Sequence, residues 1–304
     1  MESATRLSDA RGGHRTDGLN ELGGPATATV VLGLLAALAG GCADFGGGLL
    51  ARRTALFGVV LLSQLVGMLL AIVLAIGRGE GAPTQADLAW SVLAGIAGGV
   101  GFTALYQALA VGRMGIVAPV TGVIAAVVPV SAGILLEGVP APLVLAGIAF
   151  AIVAVVLVSR AGDEGGGRSG LGLAVVAGVG IGSVSICTAQ LSDGHVFGPL
   201  VVVRATQAVL IVGTILVTRS TWRVDRRLIP ATAAVGVLDM AATGAFVLAV
   251  QTGALAVAAV LSSLYPVTTV ILATVFLGER VSRSHAAGIA LAALAVGCIA
   301  AGSA

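Results

Sequence analysis

Apolar residues run along this chain in long blocks, separated by short breaks rich in Arg, Asp, Glu, Pro and Gly. The blocks cover residues 27–50, 54–77, 87–110, 114–136, 142–160, 170–190, 198–218, 229–250, 254–277 and 284–302. Each is long enough to cross a membrane as a helix, which takes roughly 20 mostly apolar residues. The strict alternation of barrel strands is missing, and only helices or closed barrels satisfy their backbone hydrogen bonds in lipid. The pattern therefore predicts an all-α integral membrane protein with ten spans. An even number of spans puts both termini on one side. Gly46-Gly47-Gly48 reads as a break in the first block, and Pro119 and Pro129 interrupt the fourth.

Residues 1–26 read as a disordered polar tail. No cleavage site follows it, and the next block is too long for a signal-peptide core, so that block is taken as the first span. The break at 161–169 lies near the middle and divides the chain into five spans (27–160) and five more (170–302). A shift of 141 positions places Ala146-Gly147-Ile148-Ala149 on Ala287-Gly288-Ile289-Ala290. The same shift pairs Gly112 with Gly253, Ala118 with Ala259 and Leu136 with Leu277. Two related copies of five spans must be inverted relative to each other. Inverted repeats place a binding site at their interface near the membrane midplane.

Composition agrees. Hydrophobic residues make up 58% of the 304, charged residues only 10%, and mean hydropathy is +1.09. A soluble domain carries about 25% charged residues. A net charge of +2 gives no reason to expect a nucleic-acid partner. Every basic residue is Arg, and eleven of the 16 fall after odd-numbered spans, against four on the other side. The positive-inside rule then places the termini outside. Glycine, at 45 residues, is about twice as frequent as the usual roughly 7%. Gly95 and Gly99, like Gly178 and Gly182, are spaced for close helix packing. Gly178-Val-Gly180-Ile-Gly182 is no nucleotide loop, because no strand precedes it and no Lys follows. Cys42, Cys187 and Cys298 read as small packing residues.

Charges inside the spans carry the functional signal, since an Asp or Arg at a helix centre costs about 2.5–3.5 kcal/mol on insertion scales. Asp239 shares a helix face with Gly236 and Thr243. That face suits a cavity wall; the structural alternative is a carboxylate bonded to a neighbouring helix. Arg204, with Gln207 three residues on, is either an anion site, a partner for Asp239, or a snorkelling residue. Asp44, on a stripe with Gly40 and Gly48, either lines the cavity or ends a bent first helix. Gln64, Tyr106, Gln107, Ser262 and Tyr265 are further binding candidates, with helix–helix hydrogen bonding as the alternative. Pro266 is placed to kink the helix beyond Tyr265. Glu137 and Glu279 end equivalent spans and read as solvated loop charges or helix caps.

Leu261-Ser-Ser-Leu-Tyr-Pro-Val267 followed by Leu277-Gly-Glu-Arg-Val-Ser282 resembles the EamA repeat of the drug/metabolite transporter superfamily. Ala104-Leu-Tyr-Gln-Ala-Leu-Ala-Val-Gly112, Val117-Ala-Pro-Val120 and Leu136-Glu-Gly138 resemble the same repeat in the first half, with the Gly-Glu order reversed. Asp44-Phe-Gly-Gly with Arg52-Arg53 is similar to the first two spans of some members. The resemblance implies two inverted five-helix repeats around a central cavity. It implies export of amino acids, metabolites or drugs, often coupled to protons, by a multi-pass protein of the cell membrane. Asp44 is the nearest position to the proton-carrying first-span Glu of small four-span relatives. The usual family orientation places the termini in the cytoplasm, opposite to the arginine count. Two other classes remain: a non-transporting membrane partner or assembly protein, and a membrane enzyme. No HExxH, nucleophile elbow or paired catalytic carboxylates occur, so no enzyme, metal or cofactor is expected. No ATP-binding motif occurs either, which leaves an ion gradient or a partner protein to drive any pumping.

Overall fold

The computed structural model describes residues 25–137, 142–143, 145–147, 149–150, 153, 170–251, 261–262, 264–279 and 283–302. Their elements are all helical: α1 (Pro25–Ala51), α2 (Leu56–Arg78), α3 (Gln85–Val111), α4 (Met114–Glu137), α5 (Leu171–Thr188), α6 (Phe197–Thr218), α7 (Ile229–Gln251), α8 (Tyr265–Leu277) and α9 (Arg283–Gly302). Six of these, α1, α2, α3, α5, α6 and α7, are long and apolar enough to cross a membrane. A helix of 23 residues such as α2 is about 35 Å long, enough for the roughly 30 Å hydrocarbon layer. The tail and the central linker lie outside the described residues. So do most of the fifth predicted span and the first part of the ninth.

The bundle is apolar outside and polar within. Ile76, Val209, Leu216 and Val217 stand exposed on its surface, while Asp44, Gln64, Arg204, Gln207 and Asp239 are buried. This is the distribution a lipid solvent demands, because lipid tails satisfy no polar group. Helix α1 packs on α7 and α8, α3 on α5 and α6, and α2 on α6 and α7, while α4 lies against α5, α8 and α9.

One sequence expectation is corrected. Helix α1 runs unbroken through Gly46-Gly47-Gly48 to Ala51. The three glycines are contact points: Gly47 lies beneath the Tyr106 ring and Gly48 against Leu109. Asp44 therefore sits within α1 and does not end it. Pro266 occupies the first turn of α8, where a missing N–H costs nothing; residues 261–262 just upstream are also helical, and the rest of that predicted span before Tyr265 lies largely outside the described residues.

The helix connections meet at two opposite ends. At one, Arg52 donates to the carbonyls of Leu109 and Gly112 at the close of α3, at 2.7 Å each through Nη2. It also lies 4.0 Å from Glu279. Glu279 accepts the Gly115 N–H at 2.9 Å and the Met114 N–H at 3.2 Å, capping α4 across 165 residues of sequence. The cap was one of the two sequence readings for Glu279. Thr54 accepts from the Asp225 N–H at this same end. At the other end, Gly79 takes φ +64° after α2 and turns the chain so that Glu80 faces α6. The Glu80 carboxylate accepts from the N–H groups of Val196, Phe197 and Gly198. Negative charge is favoured at this positive end of the helix dipole. Nearby, Thr84 and Asp87 form a capping box that starts α3, and Asp87 also accepts from the Ser192 N–H at 2.9 Å. The connections meeting at the first end all follow odd-numbered predicted spans, as a crossing at every span requires.

Candidate functional site

Three helices bring the central polar groups together. Glycines make the approach possible: at Gly236 of α7 an added Cβ would strike the Ser63 carbonyl of α2, and Gly67 of α2 lies beside the Arg204 guanidinium of α6. Close backbone packing at small residues is the usual means of helix association in lipid. Across this seam, Arg204 Nη1 donates to Gln64 Oε1 at 2.6 Å and to Asp239 Oδ2 at 2.5 Å. Its Nη2 donates to Thr243 Oγ1 at 2.9 Å, and Thr243 in turn donates to the Asp239 carbonyl. Arg204 is 2% exposed, Asp239 5% and Gln64 1%. Arg204 therefore does not snorkel. It is fully desolvated and compensated by a carboxylate, an amide oxygen and a hydroxyl. Asp239 stands ten residues into α7, about 15 Å from its start, near the middle of the span.

Arg204 and Asp239 form an ion pair, the partnership that the sequence offered beside an anion site and a snorkelling residue. Gln64 was a weaker candidate, and Thr243 was expected on the Asp239 face. The other candidates divide. Asp44 of α1 is 6% exposed and makes no hydrogen bond or ion pair among the described residues. It lies within electrostatic reach of Asp239 and Tyr265. Tyr106 of α3 is buried and within reach of Asp44, Asp239 and Arg204. Gln207 is buried but turns to α3, where it packs against Gly98, and its Oε1 lacks a partner among the described residues. Gln107 is half-buried and takes no part in the cluster's hydrogen bonds. Ser262 lies three residues upstream of α8.

Sequence reasoning missed Glu80 and Asp87, which hold the helix ends. Thr84-x-x-Asp87 carried a readable capping-box pattern. Nothing local marked Glu80, because its partner helix begins more than a hundred residues later. Among the described residues no group of three or more His, Cys, Asp or Glu is placed to hold a metal ion.

Residues 168–301 match the EamA-like transporter family, part of the drug/metabolite transporter superfamily. No curated protein matches the chain. Among solved structures, one crystal structure is similar over 89% of this chain and 96% of its own, with a TM-score of 0.59 and 19% identity. That similarity is one of fold. The chain is thus a multi-pass membrane protein whose residues 168–301 are similar to the EamA-like transporter family.

Proposed function

With residues 168–301 similar to the EamA-like transporter family, we propose that the whole chain is a secondary transporter. It exports small metabolites, amino acids or drugs across the cell membrane by alternating access, with proton coupling as its energy source. The observation that carries this reading is the buried Arg204–Asp239 pair, because it lies where the two halves of the chain meet. Gln64, from the first half, completes the coordination of Arg204, from the second. A transporter that rocks one half against the other needs its polar groups at that seam.

Packing supports two inverted repeats, 27–160 and 170–302. Exchanging the halves turns the α1–α7 contact into the α5–α3 contact, and both are made. It likewise turns α2–α7 into α6–α3, again both made. Single residues follow the same exchange. Gly236 meets the Ser63 carbonyl, and Gly95, 141 positions earlier, meets the carbonyl of Val203. Gly41 meets the Tyr265 carbonyl, and Gly182, 141 positions later, meets that of Ala125.

The test is flux in proteoliposomes reconstituted with the purified chain. A panel of amino acids and small amines is loaded inside, and an inward or outward proton gradient is imposed. Gradient-dependent release above that of empty liposomes is expected. Release identical to empty liposomes for every solute, under both gradients, would contradict the proposal and favour a non-transporting role.

A further inference from the structure

Away from the helix ends, the described spans hold three charged side chains: Asp44, Arg204 and Asp239. Arg204 and Asp239 cancel each other in their ion pair. Asp44 remains, 94% buried by complement of its 6% exposure, with no donor among the described residues. A buried carboxylate that stays ionised without a partner costs several kcal/mol, so it is held either by a proton or by a positive charge beside it.

The surroundings of Asp44 suit one kind of positive charge. Gly40, Asp44, Gly47 and Gly48 lie at i−4, i, i+3 and i+4 on one face of α1. The Cβ of Tyr265, on α8, stands 3.6 Å from where a Cβ on Gly40 would be, and the Tyr265 carbonyl lies against Gly41. The Tyr106 ring, on α3, lies on Gly47. The glycines thus admit one tyrosine about a turn to either side of the carboxylate. The Tyr265 hydroxyl is buried and has no partner among the described residues. Both tyrosines interact electrostatically with Asp44.

We propose that Asp44, Tyr106 and Tyr265 form a subsite for the ammonium group of an amine substrate. The carboxylate supplies the countercharge. The phenol oxygens accept N–H donors, and the ring faces attract a cation by their quadrupole. A small metal cation is a poorer fit, because it requires many oxygen ligands around it, and the site offers one carboxylate and two phenols. The proposal rests on the transporter reading and names the substrate class for it.

The test is calorimetric titration of the purified full chain in detergent with three probes of one shape: phenethylammonium, 2-phenylethanol and phenylacetate. Wild type is expected to bind phenethylammonium at least about tenfold more tightly than either other probe, a gap of about 1.4 kcal/mol. Asp44→Asn should remove that preference, Asp44→Glu should keep it, and Tyr265→Phe should weaken it several-fold. Sodium chloride should not displace the amine at matched ionic strength. Equal binding of the three probes by wild type overturns the proposal without any variant, so a misfolded variant cannot protect it. Unchanged preference in Asp44→Asn, or displacement by sodium, also overturns it. Flux of neutral or anionic solutes without amine binding would remove the subsite and leave the transporter reading. Amine binding lost in Asp44→Asn, but with no flux of any solute, would do the reverse.

Discussion

Arg204 on α6 and Asp239 on α7 are paired at 2.5 Å, with side chains only 2% and 7% exposed. Both charges are desolvated, so each depends on the other. Removing one member of a buried pair typically costs about 3–5 kcal/mol, because the remaining charge is left uncompensated. Gln64, from the first half of the chain, joins the pair through Arg204, so the pair sits at the contact between the halves.

Gln64 accepts from the same Nη1 that serves Asp239. Gln64→Leu keeps the bulk and removes the acceptor. The loss of a hydrogen bond to a charged donor should lower stability by about 1.5–3 kcal/mol. Detergent melting against wild type checks this, and Gln64→Glu, which restores an acceptor, should melt above the Leu variant.

Gly236 and Gly213 give a matched comparison of two helical glycines. At Gly236 an added Cβ runs into the Ser63 backbone, which cannot move aside as a flexible side chain could. At Gly213 an added Cβ meets nothing within 4 Å. Gly236→Ala should destabilise by about 1–3 kcal/mol through overpacking. Gly213→Ala should be neutral, or stabilise by up to about 1 kcal/mol through helix propensity. Melting temperatures of the two variants should therefore fall on opposite sides of, or one below and one at, the wild-type value.

Glu80 holds three backbone N–H groups at the start of α6 and pairs with Arg78 at 3.2 Å. Glu80→Ala leaves those donors uncapped, at a cost of about 0.5–2 kcal/mol. Hydrogen exchange should accelerate at residues 196–198 while the middle of α6 stays protected.

The spans were legible in the sequence because lipid demands continuous apolar stretches, and α2, α3, α6 and α7 lie within two residues of the blocks that announced them. The continuity of α1 was not legible. A Gly triplet breaks a helix in water, but here each glycine is held by a neighbouring helix, and that depends on tertiary packing. The Arg204–Asp239 pair was legible as a possibility, since unpaired charges in spans are rare and costly. The choice of Gln64 as the third member was not, because α2 meets α6 only after the bundle assembles. Gln107 shows the opposite limit. It neighbours Tyr106 in sequence but points about 100° away on the helix, so adjacency said nothing of the site.

The most direct test separates the structural from the functional role of the central pair. Arg204→Gln, Asp239→Asn and the double variant are compared for detergent melting and for gradient-driven flux in proteoliposomes. Each single variant should melt well below wild type and lose flux. The double variant, with no charge left unpaired, should regain most of the stability and still fail to transport. Wild-type flux in the refolded double variant would contradict the claim that this pair serves transport, and would reduce it to a helix-packing device.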